Sequence, residues 1–349
     1  MVLCLYNTSP SDYLNHELEG MSTRERVAQY ASLVSALDEV ESLRVCFLTT
    51  GPVGLLPDGW DVREVAPLTQ QSLIELLSEL VHAGPDELLV AFADQPFLNS
   101  ELTSRLLARH RDYLAQYTFA DGYPAGLAPE LLSPQALSHL ASLAGDELVD
   151  RRGLFPIVQK DINRLDVETE LSPVDQRLLR LELAVNTRAN LLLCERLAAG
   201  APSAIDEWPD HVEGRRTEHR TLPSFVSVQV VEEEVQRLAY SPYPLVRDAV
   251  TAPGRTMPVE RFDELVSDLE RFAPEAVVHL SLWGEIARHP DALSLIRRVL
   301  ASDSLRVLVE TSGVGWDEAQ RDELFSLRTA RFMLIVGLDT NDPELYRSI

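Results

Sequence analysis

Glu87-Leu-Leu-Val-Ala-Phe-Ala-Asp94-Gln-Pro96-Phe-Leu98 is the stretch on which the fold turns. Its apolar run, Glu87–Ala93, has the length and character of a buried strand. An acid and a proline follow, and a helix opens near Asn99. The same rhythm extends in both directions. Upstream, Val2–Tyr6 and Arg44–Thr49 read as strands, the second ended by Gly51-Pro52. Between them lies a helix, Ser22–Leu37. Ser22 and Glu25 form a capping box at its start, and Val27, Tyr30, Ala31 and Val34 share one face. Gln70–His82 is a helix with Leu73, Leu76, Leu77 and Leu80 inward. Downstream come helix Asn99–Gln116, strand Tyr117–Ala120, helix Ser133–Ala144, a late strand Leu181–Val185 and helix Arg188–Ala199. Such alternation predicts an α/β domain over residues 1–200, a parallel sheet covered by helices on both faces.

Between Gly200 and Pro223 the apolar period lapses. Pro202, Pro209 and Gly214 interrupt a polar stretch that swings from acidic to the basic Arg215-Arg216, so residues 201–222 read as a linker. From 223 to 349 a second α/β domain follows. Its strands are Ser224–Val231, Ala276–Leu282, Leu305–Thr311 and Phe332–Leu338. Its helices are Pro258–Phe272, with proline at the first position, then Pro290–Ala301 and Trp316–Leu327.

Composition narrows the chemistry. The chain has 349 residues and a formal charge of −24, with one lysine, Lys160, and three cysteines. An anionic surface repels phosphate backbones, which argues against nucleic-acid partners. The longest apolar runs are far shorter than the ~20 residues of a membrane span. Cys4, Cys46 and Cys194 are too few and scattered for a disulfide framework, which suits a reducing cytoplasm.

Three C-terminal motifs end successive strands: Leu280-Ser-Leu-Trp-Gly284-Glu285 with His289-Pro290 beyond it, Val307-Leu-Val-Glu310-Thr-Ser312-Gly313, and Gly337-Leu-Asp339 before Asp342-Pro-Glu-Leu-Tyr346. In this order they resemble the radical S-adenosylmethionine family, in its SPASM branch. The resemblance implies a partial (β/α) barrel with four of about six strands, a copy incomplete at its C-terminal end. It also implies an S-adenosylmethionine pocket, with Gly284 and Glu285 at the cofactor's amino group and Glu310 and Ser312 on the ribose side. The family's three cluster cysteines would fall at Glu234, Leu238 and Ser241. None is cysteine, and iron–sulfur clusters need thiolates, so no [4Fe-4S] cluster is expected from this chain.

The N-terminal motifs are Asp94-Gln-Pro96, Tyr123-Pro-Ala-Gly-Leu127 and Leu179-Arg-Leu-Glu-Leu-Ala-Val-Asn186. They resemble the sugar-acid cytidylyltransferases, with their Rossmann-like nucleotide-diphospho-sugar transferase fold. The resemblance implies magnesium held by two aspartates. Asp94 fits the first position, while the second is Asn186, a poorer ligand. The family's basic phosphate loop is replaced by Asn7–Gly20, which has no Lys or Arg. Fused together, the two halves resemble the spirochete spiro-SPASM proteins.

Smaller candidates carry less. Thr49–Gly54 lacks the lysine and spacing of a phosphate loop and reads as a turn. His279 reads as a sheet histidine. His289, beside Pro290, reads as the better functional candidate, although capping alone would explain it. Three readings of function stay open from the sequence. The first is a binding or divergent-function protein that takes a nucleotide, sugar or peptide. The second is a magnesium-dependent nucleotidyltransferase acting on a sugar or sugar acid. The third is a radical enzyme whose cluster ligands come from elsewhere.

Overall fold

The computed structural model describes residues 1–81, 87–232, 255–327 and 329–348. The expected cluster positions Glu234, Leu238 and Ser241 lie outside the described residues. Among the described residues, no helix is long and apolar enough to cross a membrane. The chain divides into two compact α/β units, Met1–Thr221 and Leu222–Ile349.

The strands of the first unit are β1 (Val2–Asn7), the short hairpin β2 (Glu17–Leu18) and β3 (Met21–Ser22), β4 (Arg44–Thr49), β5 (Asp61–Glu64), β6 (Leu88–Phe92), β7 (Tyr117–Asp121), β8 (Glu130–Leu132) and β9 (Val167–Leu171). Its helices are α1 (Ser11–Asn15), α2 (Thr23–Ser35), α3 (Gln70–Leu80), α4 (Ser100–Asp112), α5 (Pro134–Leu143), α6 (Phe155–Val158), α7 (Arg188–Ala198) and α8 (Trp208–Glu213). The capping box at Ser22 and Glu25 is present at the start of α2. Seven strands form one sheet in the order β5-β4-β1-β6-β8-β7-β9. Alternation along β1 shows why it must be sandwiched: Leu3 and Leu5 join the core under α2, α4 and α7, while Val2, Cys4 and Tyr6 join the one under α3 and α5.

Three sequence expectations are corrected here. The sheet is not wholly parallel, because β8 runs antiparallel to both β6 and β7. Leu181–Val185 is buried, as its apolar character requires, but makes only an isolated bridge, Ala125 to Glu182. Gly126 permits that crossing: at φ +106, a Cβ there would sit 2.4 Å from the Leu183 carbonyl oxygen. Residues 201–221 are not a linker but part of the first unit. Ile205, Trp208 and Val212 are buried in its core, with Trp208 5.2 Å from the Phe97 ring. The Asn99 amide donates to the Ser203 carbonyl at 2.8 Å and Gln176 to the Pro209 carbonyl at 3.0 Å.

In the second unit, β10 (Phe225–Val228), β11 (Val277–Leu280), β12 (Arg306–Thr311) and β13 (Phe332–Val336) lie side by side in chain order, all parallel. Sequential order is the winding of a (β/α) barrel, whereas β1 of the first unit has neighbours on both sides added in turn. Helices α9 (Val259–Phe272), α10 (Ala292–Leu300) and α11 (Glu318–Ser326) pack on one face, burying Val228, Val278, Leu280, Val307 and Val309. A last turn, α12 (Pro343–Ser348), follows. Pro258 is the N-cap of α9 rather than its first helical residue.

Candidate functional site

In the first unit the chain leaves β1 and β6, adjacent strands at the point where the sheet order reverses. Open α/β sheets bind ligands outside the carboxyl ends at such a point. Asp94 stands there, 0% exposed. Arg151 closes a two-pronged fork on it, Nη1 donating to Oδ2 at 3.0 Å and Nη2 to Oδ1 at 2.8 Å. The Ser9 hydroxyl, from the loop after β1, donates to the same Oδ2. Arg151 Nε donates to Glu182 Oε1 at 2.6 Å, and the guanidinium lies 4.0 Å over the Phe92 ring. Burial opposes the Arg151 charge, but Asp94 and Glu182 more than offset it and raise its titration. The Cys194 thiol is pushed up by burial first, then by the same two carboxylates.

Asn186 is brought to this cluster, but not as a ligand. Its amide donates to Glu182 Oε1 at 2.9 Å, and its own oxygen accepts from Asn190 at 2.9 Å. The donor set therefore does not fit magnesium. A hard dication wants several oxygen ligands in near-octahedral array. Here both Asp94 oxygens serve Arg151, and the Asn186 oxygen serves Asn190. No group of three or more His, Cys, Asp or Glu among the described residues could hold a metal. The loop after β1 is likewise committed: Asn7 donates to Thr49 Oγ1 and to the Ser9 carbonyl, both at 3.3 Å. Lys160 is used far away, on Gln70 at 2.9 Å and the Leu143 carbonyl at 3.0 Å.

Beside Arg151 a pocket of about 210 Å³ opens at the ends of β6 and β7, with Phe92, Phe119, Tyr123, Phe155 and Glu130 among its walls. A larger hollow of about 570 Å³ lies by Val2, Arg44 and Leu80, at the amino ends of the strands, away from this chemistry. In the first pocket the Tyr117 hydroxyl donates to Glu130 Oε1, and the Leu154 amide donates to Oε2 at 2.8 Å. Burial pushes the Glu130 carboxyl up to about 7, from an ordinary 4.5. The folded chain thus holds an extra proton between those values. The stability gained is complete below the unfolded value and is lost as pH rises through about 7, amounting to about 3 kcal/mol. Urea midpoints at about pH 5 and about pH 8 are expected to differ in the wild type and to draw together in Glu130→Gln. Equal pH dependence in both proteins would contradict this.

In the second unit, the structure brings Gly284, Glu285 and Ser312 together and sets Glu310 apart from them. Glu285 is buried, 3% exposed. Its Oε1 accepts from Thr311 Oγ1 at 2.6 Å and the Ala287 amide at 3.1 Å, and its Oε2 from the Ser312 amide and hydroxyl, both at 2.7 Å. Trp316 Nε1 adds a bond to Thr311 Oγ1 at 3.0 Å. Gly284 is where the chain passes the Val231 carbonyl, so closely that a Cβ would collide with it. Glu310 points to the other face of β12, where its carboxylate meets His279 Nε2 at 3.2 Å; His279 Nδ1 lies 3.2 Å from Ser227 Oγ. His289 caps: Nδ1 accepts from the Asp291 amide at 3.0 Å, and Nε2 donates to the Met257 carbonyl at 2.8 Å. These residues do not fit an S-adenosylmethionine amine site, because all the acceptor positions of Glu285 are taken. Nor do the cysteines fit a cluster, since Cys4, Cys46 and Cys194 are all buried in the first unit.

The sequence names Asp94, Asn186 and Glu285 as candidates but does not reveal Ser9, Arg151, Glu182 and Thr311 as the groups they contact. The sequence signal for Arg151 is slight: an Arg-Arg pair at 151–152, one of three such pairs in the chain.

No family model matches the chain. A Treponema pallidum protein of uncharacterized function is 30% identical over 166 residues, 48% of this chain and 45% of that protein. The chain thus spans less than half the length of this curated relative. Among solved structures, a cytidylyltransferase from Leptospira borgpetersenii is similar over 62% of this chain and 93% of its own, at 14% identity and a TM-score of 0.45. BtrN in complex with AdoMet and 2-DOIA is similar over 37% of this chain and 52% of its own, at 15% identity and a TM-score of 0.29.

Proposed function

We propose that this chain is a ligand-binding protein built on two enzyme-type α/β units, with its binding site at the carboxyl-end pocket of the first. On this reading it is neither a magnesium-dependent nucleotidyltransferase nor a radical enzyme with its own cluster. One observation carries the proposal: the acid at the carboxyl edge of each sheet is buried and held by hydrogen bonds from its own chain, three on Asp94 and four on Glu285. Glu285 has no acceptor position left for a cofactor amine, and a metal on Asp94 would have to displace the Arg151 guanidinium. The pocket next to Asp94 keeps aromatic walls, the Glu130 carboxyl and part of Arg151 in reach of a small ligand. A nucleotide, a sugar or a peptide side chain remain the classes to try first.

The test is pyrophosphate release from CTP by the full chain with magnesium and a sugar acid. None above the protein-free rate is expected. In parallel, calorimetric titration with CTP and with the sugar acid is run with EDTA, where any binding is expected to persist. Magnesium-dependent release of pyrophosphate, lost in a folded Asp94→Asn chain, would overturn the proposal.

A further inference from the structure

We infer that the Arg151 guanidinium is a resident cation: it occupies the place between the strand-end acid and the late-loop residues where a divalent metal would bridge them, and it closes that place to metal. The geometry is that of a counter-ion, not of a passing surface pair. Two parallel N–H bonds at 3.0 and 2.8 Å bind both oxygens of Asp94, and the remaining edge reaches Glu182 at 2.6 Å. A planar fork matched to a carboxylate in this way is the strongest arrangement available to arginine. Phe92 beneath the plane and Ser9 on Asp94 fix both partners from their far sides. Asn186 turns its oxygen to Asn190 and its amide to Glu182, so its oxygen is already engaged within the chain.

The consequence is electrostatic. Two carboxylates and one guanidinium leave a single net negative charge. A metal entering would have to break three charge-assisted bonds and then sit beside the guanidinium it displaced. The reverse also holds: taking away the guanidinium leaves two carboxylates facing one another across a vacated position. Removing Arg151 should therefore create metal affinity that the natural chain lacks. This inference goes beyond the proposed binding role and does not depend on it, because it concerns ion occupancy alone.

The test is electron paramagnetic resonance of free Mn²⁺ titrated with the full-length chain. The wild type is expected to leave the free-ion signal undiminished apart from weak surface binding that Asp94→Asn does not alter. Arg151→Gln, which keeps an amide donor for Asp94, is expected to bind Mn²⁺ roughly tenfold or more tightly, as loss of a like charge within a few ångströms should allow. Adding Asp94→Asn to Arg151→Gln should abolish that gain, and Mn²⁺ should raise the melting temperature of Arg151→Gln but not of the wild type. One equivalent of Mn²⁺ taken up by the wild type and lost with Asp94→Asn overturns the inference. So does a folded Arg151→Gln that binds no more than the wild type. If Arg151→Gln does not fold, the wild-type titration decides alone. Metal-free turnover of CTP would defeat the proposed function while leaving this inference standing, and Mn²⁺ uptake without turnover would do the opposite.

Discussion

Asp94→Ala is expected to destabilise the first unit by about 2–4 kcal/mol, somewhat less than the cost of stripping one partner from a fully buried ion pair, because the Arg151 side chain is 26% exposed. The truncation leaves Arg151 charged and only partly exposed, with Glu182 as its remaining acidic partner, and removes the acceptor of the Ser9 hydroxyl. An unsatisfied buried donor adds its own penalty on top of the lost attraction. Urea unfolding followed by tryptophan fluorescence measures it, because Trp208 lies in the same core. The sign is what discriminates. An acid held ready for a metal is repelled by its neighbours when the metal is absent, so its removal in EDTA is neutral or stabilising. An unchanged or raised midpoint for Asp94→Ala would therefore return Asp94 to the role of a waiting ligand.

Glu285→Ala should cost the second unit a similar amount, about 3–5 kcal/mol, by a different route. Among the described residues Glu285 has no cationic partner; it accepts four hydrogen bonds that tie the end of β11 to the end of β12. Truncation orphans the Thr311 and Ser312 hydroxyls and the Ala287 and Ser312 amides together, of which Thr311 is buried. Glu285→Gln keeps the volume and one acceptor and should recover part of the loss. Hydrogen exchange at the Ser312 amide reads the effect locally: strong acceleration in the alanine variant, less in glutamine. Unaltered protection in Glu285→Ala would show that the carboxylate does not hold the loop.

Much of the architecture follows from local pattern. Arg44–Thr49 was delimited to the residue, and the Ser22 capping box was read from its two side chains alone. Period-2 and period-3.6 apolar patterns report burial, and burial over six to thirteen residues is a local property. The pattern was less informative where burial and pairing part company. Leu181–Val185 is buried without joining a sheet ladder. Residues 201–221 anchor through three well-spaced apolar side chains, too few to make a period. The antiparallel β8 has three residues, too short to signal its direction.

The absence of cysteine beyond Cys194, and of lysine and arginine from Asn7–Gly20, were sequence facts that no fold could alter, and they limited the chemistry from the start. What the acids do instead was a tertiary matter. Asp94 and Arg151 are 57 residues apart, and Ser9 is 85 residues from Asp94. Which cation meets a carboxylate depends on how β1, β6 and the loops between them close in space, and each closure is decided by the packing of the whole sheet rather than by neighbours in the chain. The sequence by itself determined which residue types were present to do chemistry. Only the tertiary structure decided that the acid at the strand end was already matched by an arginine of the same chain.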